Sequence, residues 1–250
     1  MLKDINFSIK PNEVVSVLGV NGAGKSTLIK CLNGILKPAS GKVSILTVEE
    51  SDNGLVNVSG LDLVGLSRVM SYVPQFIRTS FSMDVFDVVL LGRRPHIKWR
   101  ISENDRNKVS ETLRYLNLEE FAFRKFDQIS GGERQRVVIA KAIAQDPNLF
   151  LFDEPTSNLD LKNQIQIMKC IRKIIKDSKS PKSALIAIHD INTAARYSDK
   201  IILLDNGSIK AFGSPNEVLT EQNIADVFGV KSSVVLTDEN YIRVLIDDEI

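Results

Sequence analysis

Residues 19–27 read G-V-N-G-A-G-K-S-T, and no other stretch restricts the chain as strongly. Gly19, four intervening residues, Gly24, Lys25 and Ser26 fit the phosphate-binding P-loop pattern. Residues 14–18, Val-Val-Ser-Val-Leu, read as a buried strand, and residues 27–32 read as a helix. Strand, glycine loop, helix is the context the motif needs. Polyphosphate is highly charged and is bound by many N–H donors at close range. Gly22 and Gly24 lack a Cβ, so the backbone can wrap the phosphates. The N–H groups at a helix start have no partner inside the helix and point at the anion. Asn21, Ala23 and Thr27 complete the wrapping segment. Lys25 brings a mobile positive charge to the β- and γ-phosphates, and Ser26 offers a hydroxyl to Mg²⁺. A plain glycine turn with a chance Lys-Ser pair is the competing explanation, and it leaves the register of both residues unexplained.

The 250 residues make one large domain or two small ones. Hydrophobic residues at 43% and charged residues at 25% give an ordinary globular balance. A net charge of +1 gives no bulk electrostatic case for nucleic acid or an anionic membrane. Cys31 and Cys170 are isolated, each inside an expected helix, and fit neither a metal spacing nor a disulfide framework. No stretch reaches the roughly 18 apolar residues of a membrane helix, and no signal peptide opens the chain.

Residues 1–10 alternate through Leu2, Ile5, Phe7 and Ile9 as a strand would. Strands are expected at residues 42–48, 56–58 and 69–73, with an exposed hairpin tip at 49–54. From about 79 to 136 the period changes to three and four, which reads as a mostly helical subdomain inserted into an α/β chain. Its basic run Arg93-Arg94-Pro95-His96 is either a partner contact or a solvated loop. Residues 149–152 are a continuous apolar run, as in a parallel sheet buried on both faces, and 183–188 read as another buried strand. An amphipathic helix is expected at 163–176, a helix at 191–197, a hairpin around Asp205-Asn206-Gly207, a helix near 221–228 and one or two final strands.

Ligands of an open α/β sheet sit beyond the carboxyl ends of its strands. The P-loop, Asp153-Glu154 and His189 each follow an expected strand, so they should converge. Asp153 would orient Mg²⁺, and Glu154 would take a proton from the attacking water. Ser130, Gly131 and Gly132 form a second glycine loop before a helix at 137–144, with Ser130 and Glu133 spaced as a capping box. That loop is either a cap alone or a second anion site, and as an anion site it would address a nucleotide held by another copy.

Together these residues resemble the ATP-binding subunits of ABC transporters, over nearly the whole chain. Residues 19–27 resemble the Walker A motif, 129–133 the family signature with Ile129 for the usual Leu, and 149–155 Walker B. Gln75 resembles the Q-loop glutamine, residues 157–160 the D-loop with Asp160, and His189 the switch histidine. Gly92 to His96, and the ending with Gly213-Ser214-Pro215 and Val218-Leu219-Thr220, look like the iron–siderophore, haem and cobalamin importer branch.

The resemblance implies a P-loop NTPase of the ABC type: a mostly parallel core sheet, an antiparallel β portion and an inserted helical subdomain. The core would be residues 1–78 and 137–250, the helical subdomain 79–136, all one domain. It implies ATP and Mg²⁺, with Ser26, Gln75 and Asp153 at the metal. Glu154, His189 and Gln75 would act in catalysis, and Ser130, Gly131, Gly132 and Asp160 would cover the ATP of a second copy. Two membrane permease subunits, an external substrate-binding protein and a place on the cytoplasmic face of the membrane follow from the same resemblance; nucleic acid does not. The family's upstream strand and adenine-stacking aromatic are expected ahead of residue 1. The stretch 42–72 is longer than usual, with 49–54 as the insertion. A soluble ABC ATPase acting on nucleic acid, an exporter subunit and a regulatory module without hydrolysis are the rival readings.

Overall fold

The computed structural model describes residues 2–46, 54–75, 82–157, 159–178, 180–239 and 241–250. β1 (Val14–Leu18) enters the P-loop, and α1 (Lys25–Leu32) leaves it. β2 (Ser44–Leu46) and β3 (Leu55–Asn57) form a small antiparallel hairpin; its tip at 47–53 lies outside the described residues. α2 (Leu63–Val69) leads into β4 (Met70–Val73). α3 (Val85–Leu90), a 3-10 turn (Leu91–His96), α4 (Glu103–Tyr115) and α5 (Gly131–Ala144) form the helical stretch, and the onset expected at 79 falls among residues outside the described set. β5 (Leu149–Asp153), α6 (Leu161–Lys176), β6 (Ser183–Ala187), α7 (Ile191–Tyr197) and the hairpin β7 (Lys200–Asp205)–β8 (Ser208–Gly213) follow. α8 (Pro215–Val218), α9 (Glu221–Phe228), β9 (Val230–Leu236) and β10 (Ile242–Glu249) close the chain.

The main sheet has the order β4-β5-β6-β1-β7-β8, parallel except for β8. Every residue of β1 and β6 is buried, which explains their largely apolar sequence. Side chains alternate between two faces. Val14, Phe150, Phe152 and Ile186 join a cluster with Val137, Ile139, Ile167 and Ile171, and Val85, Val109 and Leu113 of the helical stretch share it. Val15, Val17, Leu151 and Leu185 face the other way, onto Leu28 and Ile29 of α1 and Ile45 of β2. The fold is thus the P-loop α/β architecture with an antiparallel portion and inserted helices. Among the described residues no helix is long and apolar enough to cross a membrane.

Several expectations need correction. Residues 2–10 belong to no strand, and Asp4 breaks the run in the left-handed region at φ 49. Their alternation is real, since Leu2, Ile5, Phe7 and Ile9 pack on the second cluster, and Phe7 meets Phe212 edge-on at 6.2 Å. A strand also needs a neighbour in register, and here the Lys3 N–H reaches the Gly207 carbonyl at 2.8 Å without a ladder around it. α2 was not expected; it is set by Asp62, whose carboxylate accepts the Gly65 N–H at 2.7 Å. α5 starts at Gly131 rather than 137, directly after the Ser130 cap.

The basic run is mostly structural. Arg93 is buried, pairs with Asp105 at 3.1 Å and donates to the Ala144 carbonyl at 2.7 Å. His96 Nε2 meets the Gln145 carbonyl at 2.8 Å. These contacts satisfy carbonyls at the end of α5 and fasten the 3-10 turn to it. Gly92 lies so close to α5 that a Cβ would sit 2.1 Å from the Lys141 carbonyl oxygen. Gly92→Ala is therefore expected to lower unfolding stability by about 1–3 kcal/mol, the usual range for overpacking. Exposed Arg94→Ala should leave the urea midpoint unchanged.

Candidate functional site

The strand order sets β4, β5, β6 and β1 side by side, all parallel. Their carboxyl ends therefore deliver Gln75, Asp153 with Glu154, His189 and the P-loop to one edge, the ligand edge of such sheets. At Gly19 a Cβ would sit 2.5 Å from the Leu204 carbonyl oxygen, so the loop can pass β7 only as glycine. Gly24 caps α1 in the left-handed region at φ 107, open to glycine at little cost. Asn21 and Gly22 are exposed, Ala23 is buried, and Thr27 is half-buried in the first turn of α1. Lys25 is 5% exposed, and its Nζ donates to the Gly19 carbonyl at 2.7 Å and the Val20 carbonyl at 3.1 Å. Burial pushes its pKa down, and the carboxylates of Glu154 and Asp153 act against that.

Ser26 Oγ donates to Asp153 Oδ1 at 2.8 Å, across 127 residues of sequence. The other Asp153 oxygen accepts the Tyr72 hydroxyl at 3.4 Å. Burial first, then the Asp153 charge, push the Tyr72 pKa up to about 12, so the phenol stays a donor at neutral pH. A hydroxyl and a carboxylate already within 2.8 Å are hard oxygen donors of the kind Mg²⁺ takes, and the pair fits that ion.

Glu154 sits one residue beyond β5 at φ 51, a left-handed conformation uncommon for a residue with a side chain. Three bonds hold it there: its N–H to the Ala187 carbonyl at 3.1 Å, and its own carbonyl accepting the Ser157 N–H at 3.2 Å and hydroxyl at 2.9 Å. Its carboxylate is nearly buried; one oxygen accepts the Gln75 amide and the other meets His189 Nε2. Strain that the surroundings fix in this way is typical of functional positions.

The second glycine loop is elsewhere. Ser130 Oγ accepts the Glu133 N–H at 3.3 Å, and the Glu133 carboxylate accepts the Ser130 N–H at 2.7 Å, the expected capping box. Ser130 and Gly131 are exposed, and Gly132 faces the Asn163 side chain, 3.0 Å from where its Cβ would be. Asn163 donates its amide to Asp160 Oδ2 at 2.9 Å, while Asp160 Oδ1 accepts the Asn163 N–H at 2.8 Å and caps α6. Asp160 and the glycine loop thus share one surface through Asn163. Among the described residues no hydrogen bond joins this group to the P-loop group, and Asn158 lies outside the described set. Tyr72 and Asn163 were missed by sequence reasoning. Tyr72 lies in a strand three residues before Gln75, and Asn163 three after Asp160, at capping distance; those spacings are the only signals they carry.

A family model described as ABC transporter matches residues 2–157. An uncharacterized ABC transporter ATP-binding protein of Methanocaldococcus jannaschii is 47% identical over 94% of this chain and 87% of its own length. A cobalamin import ATP-binding protein of Halobacterium salinarum is 36% identical over 94% of this chain, which spans 56% of that longer protein. A solved structure described as an inward-facing metal-chelate type ABC transporter aligns with a TM-score of 0.83 and 30% identity, over 98% of this chain and 90% of the other. An ATP-binding cassette solved as a dimer with ADP and Pi, in a post-hydrolysis state, aligns at 0.71 with 32% identity, over 86% and 90% of the two chains. With its nucleotide loop, acidic strand end and capped second loop in place, this chain belongs to the ABC transporter family, as an ATP-hydrolysing subunit.

Proposed function

We propose that this chain powers an importer of metal chelates: ferric siderophores, haem or cobalamin-like corrinoids. The carrying observation is Glu154, fixed at the end of β5 between Gln75 and His189 and beside the Ser26–Asp153 pair. Lys25 and the loop N–H groups from Gly22 to Thr27 hold the β- and γ-phosphates of ATP. Ser26, Asp153 and Gln75 hold Mg²⁺, which when bound neutralises charge on the phosphates. Glu154 accepts a proton from water as the water oxygen attacks the γ-phosphorus; the bond to the bridging oxygen breaks and ADP leaves. The Gln75 and His189 contacts must first loosen to free the carboxylate for water. His189 then steadies the γ-phosphate. Ser130, Gly131 and Gly132 of a second copy, with Asp160 beside them, close over the ATP; the exposure of Ser130, Gly131 and Asp160 suits that role.

Two permease subunits and an external binding protein complete the importer, with this chain on the cytoplasmic face. The permease would dock on exposed apolar side chains of α2 and the segment around the 3-10 turn. Trp99 is 99% exposed and Leu63 85%, with Leu91 and Val64 also exposed. α2 and the 3-10 turn that carry or flank them are tied by Arg68 Nε to the Pro95 carbonyl at 3.1 Å. The chelate class is supported by the names of the cobalamin and metal-chelate relatives. The test is reconstitution with its permease in proteoliposomes, offering cobalamin, haemin and a ferric siderophore in turn. ATP-dependent accumulation of one is expected, abolished by Trp99→Asp while nucleotide binding by the free subunit stays intact. Accumulation of none, or export instead, would overturn the reading.

A further inference from the structure

A cavity of about 270 Å³ lies away from the P-loop, where α4, α5 and α6 meet. Its floor is apolar, from Leu116, Ile139 and Ile167. Its walls carry three cations, Arg136 on α5 with Lys169 and Lys173 on α6, and no Asp or Glu lines it. The Arg136 Nε is buried without a hydrogen-bond partner. An unpaired donor on a charged group is costly, and among the described residues the Arg136 guanidinium makes no ion pair. Glu133, the acid nearest Arg136 in sequence, feels the Arg136 charge but gives its hydrogen bonds to Ser130. Lys173 Nζ sits 5.2 Å over the Tyr115 ring, at the mouth formed by the end of α4. Cys170 adds a neutral thiol, its pKa pushed up to about 12 by burial.

We propose that this cavity binds a small organic phosphate monoester, and that the bound phosphate regulates ATP hydrolysis. Three cations over an apolar floor suit one doubly charged head on a compact apolar body. A phosphate carries about −1.5 to −2 charges and three acceptor oxygens, a better match than a single carboxylate. The volume sits just under the usual range for ligand pockets and admits a ring with one phosphate. The regulatory half rests on the function proposed above. α5 begins at Gly131, directly after Ser130, and α6 begins beside Asp160. A ligand bridging Arg136 to Lys169 and Lys173 therefore ties together the two helices whose starts would cover the second copy's ATP.

The probe is phenyl phosphate, titrated calorimetrically into the chain saturated with Mg-ADP so that the P-loop is already filled. One site is expected, with benzoate binding at least about tenfold weaker. Lys169→Glu with Lys173→Glu, both surface changes, should weaken phenyl phosphate at least about tenfold, and Arg136→Gln similarly. No binding, or affinity unchanged in these variants, overturns the site. Turnover of the unmodified chain at saturating ATP should change at least twofold with phenyl phosphate, and not in the double variant. Binding without a change in turnover overturns the regulatory half alone. A chain with no turnover at all would instead count against the function, and the calorimetric result would still decide the site.

Discussion

Glu154→Gln is expected to cut ATP turnover by about 10²–10⁴-fold, the usual contribution of a general base, while ATP still binds. The replacement is nearly isosteric, and Gln at φ 51 carries the same backbone strain as Glu. The bonds that hold the turn, from Ser157 and to Ala187, involve only main-chain atoms of residue 154 and survive the change. What is lost is the carboxylate that meets Gln75 and His189. A fall in rate with an unchanged unfolding midpoint is therefore a loss of chemistry rather than of fold. A second readout sharpens this. If two copies share each ATP, the variant should accumulate as a nucleotide-bound dimer, because the step that separates the copies is blocked. Solution mass should double on adding Mg-ATP to the variant and stay near monomeric without it. Turnover close to that of the unmodified chain would remove the proton-accepting role from Glu154.

The P-loop, Asp153 with Glu154 and His189 were legible in the sequence because each follows a largely apolar strand. Residues 14–18, 149–152 and 183–188 must be buried on both faces, and a parallel sheet then sends whatever follows them to a common edge. That is why Ser26 and Asp153, 127 residues apart, could be placed together. Local pattern was enough for α6 for a similar reason, since the stripe through Ile167, Met168, Ile171 and Ile175 decides it. It failed where the deciding partner is distant. Arg93 looked like surface charge, yet its fate is set by Asp105 and by the Ala144 carbonyl, which bury it. Residues 2–10 have the alternation of a strand, but a ladder depends on what lies alongside, which a single segment does not encode. Tyr72 was missed because its one signal, a place three residues before Gln75, does not say that its hydroxyl meets Asp153. The cavity between α4, α5 and α6 has the same origin: its three cations are ordinary helix-surface residues until the packing brings them round one void.

The capping geometry of Ser130 answers one alternative left open by the sequence and sharpens another. The residue is a helix cap, with both bonds of the capping box made inside the chain. A cap and an anion site are compatible, because the box uses the N–H groups of Ser130 and Glu133 and leaves those of Gly131 and Gly132 outside it. Gly131 has open space where a Cβ would be, so its backbone is free to approach a phosphate. Nothing from its own P-loop is hydrogen-bonded to it among the described residues, which is the arrangement expected if the phosphate comes with another copy.

Lys25→Ala is the second large effect: nucleotide affinity should fall at least about 100-fold. Each hydrogen bond to a charged group contributes about 1.5–3 kcal/mol, and Lys25 would make more than one to the β- and γ-phosphates. Two such bonds at about 1.4 kcal/mol per factor of ten exceed 100-fold. Stability should move far less, because two opposing terms meet. The Gly19 and Val20 carbonyls lose the donor that reaches them at 2.7 and 3.1 Å. Against that, a cation that burial disfavours, as its lowered pKa records, is no longer desolvated. Lys25→Arg should not rescue binding, since a planar guanidinium is bulkier and less mobile than an ammonium in a loop that already encloses the side chain to 5% exposure. Titration with a fluorescent ATP analogue, beside a urea unfolding curve for each variant, separates the two quantities. Affinity within about threefold of the unmodified chain would show that the loop N–H groups alone carry the phosphates.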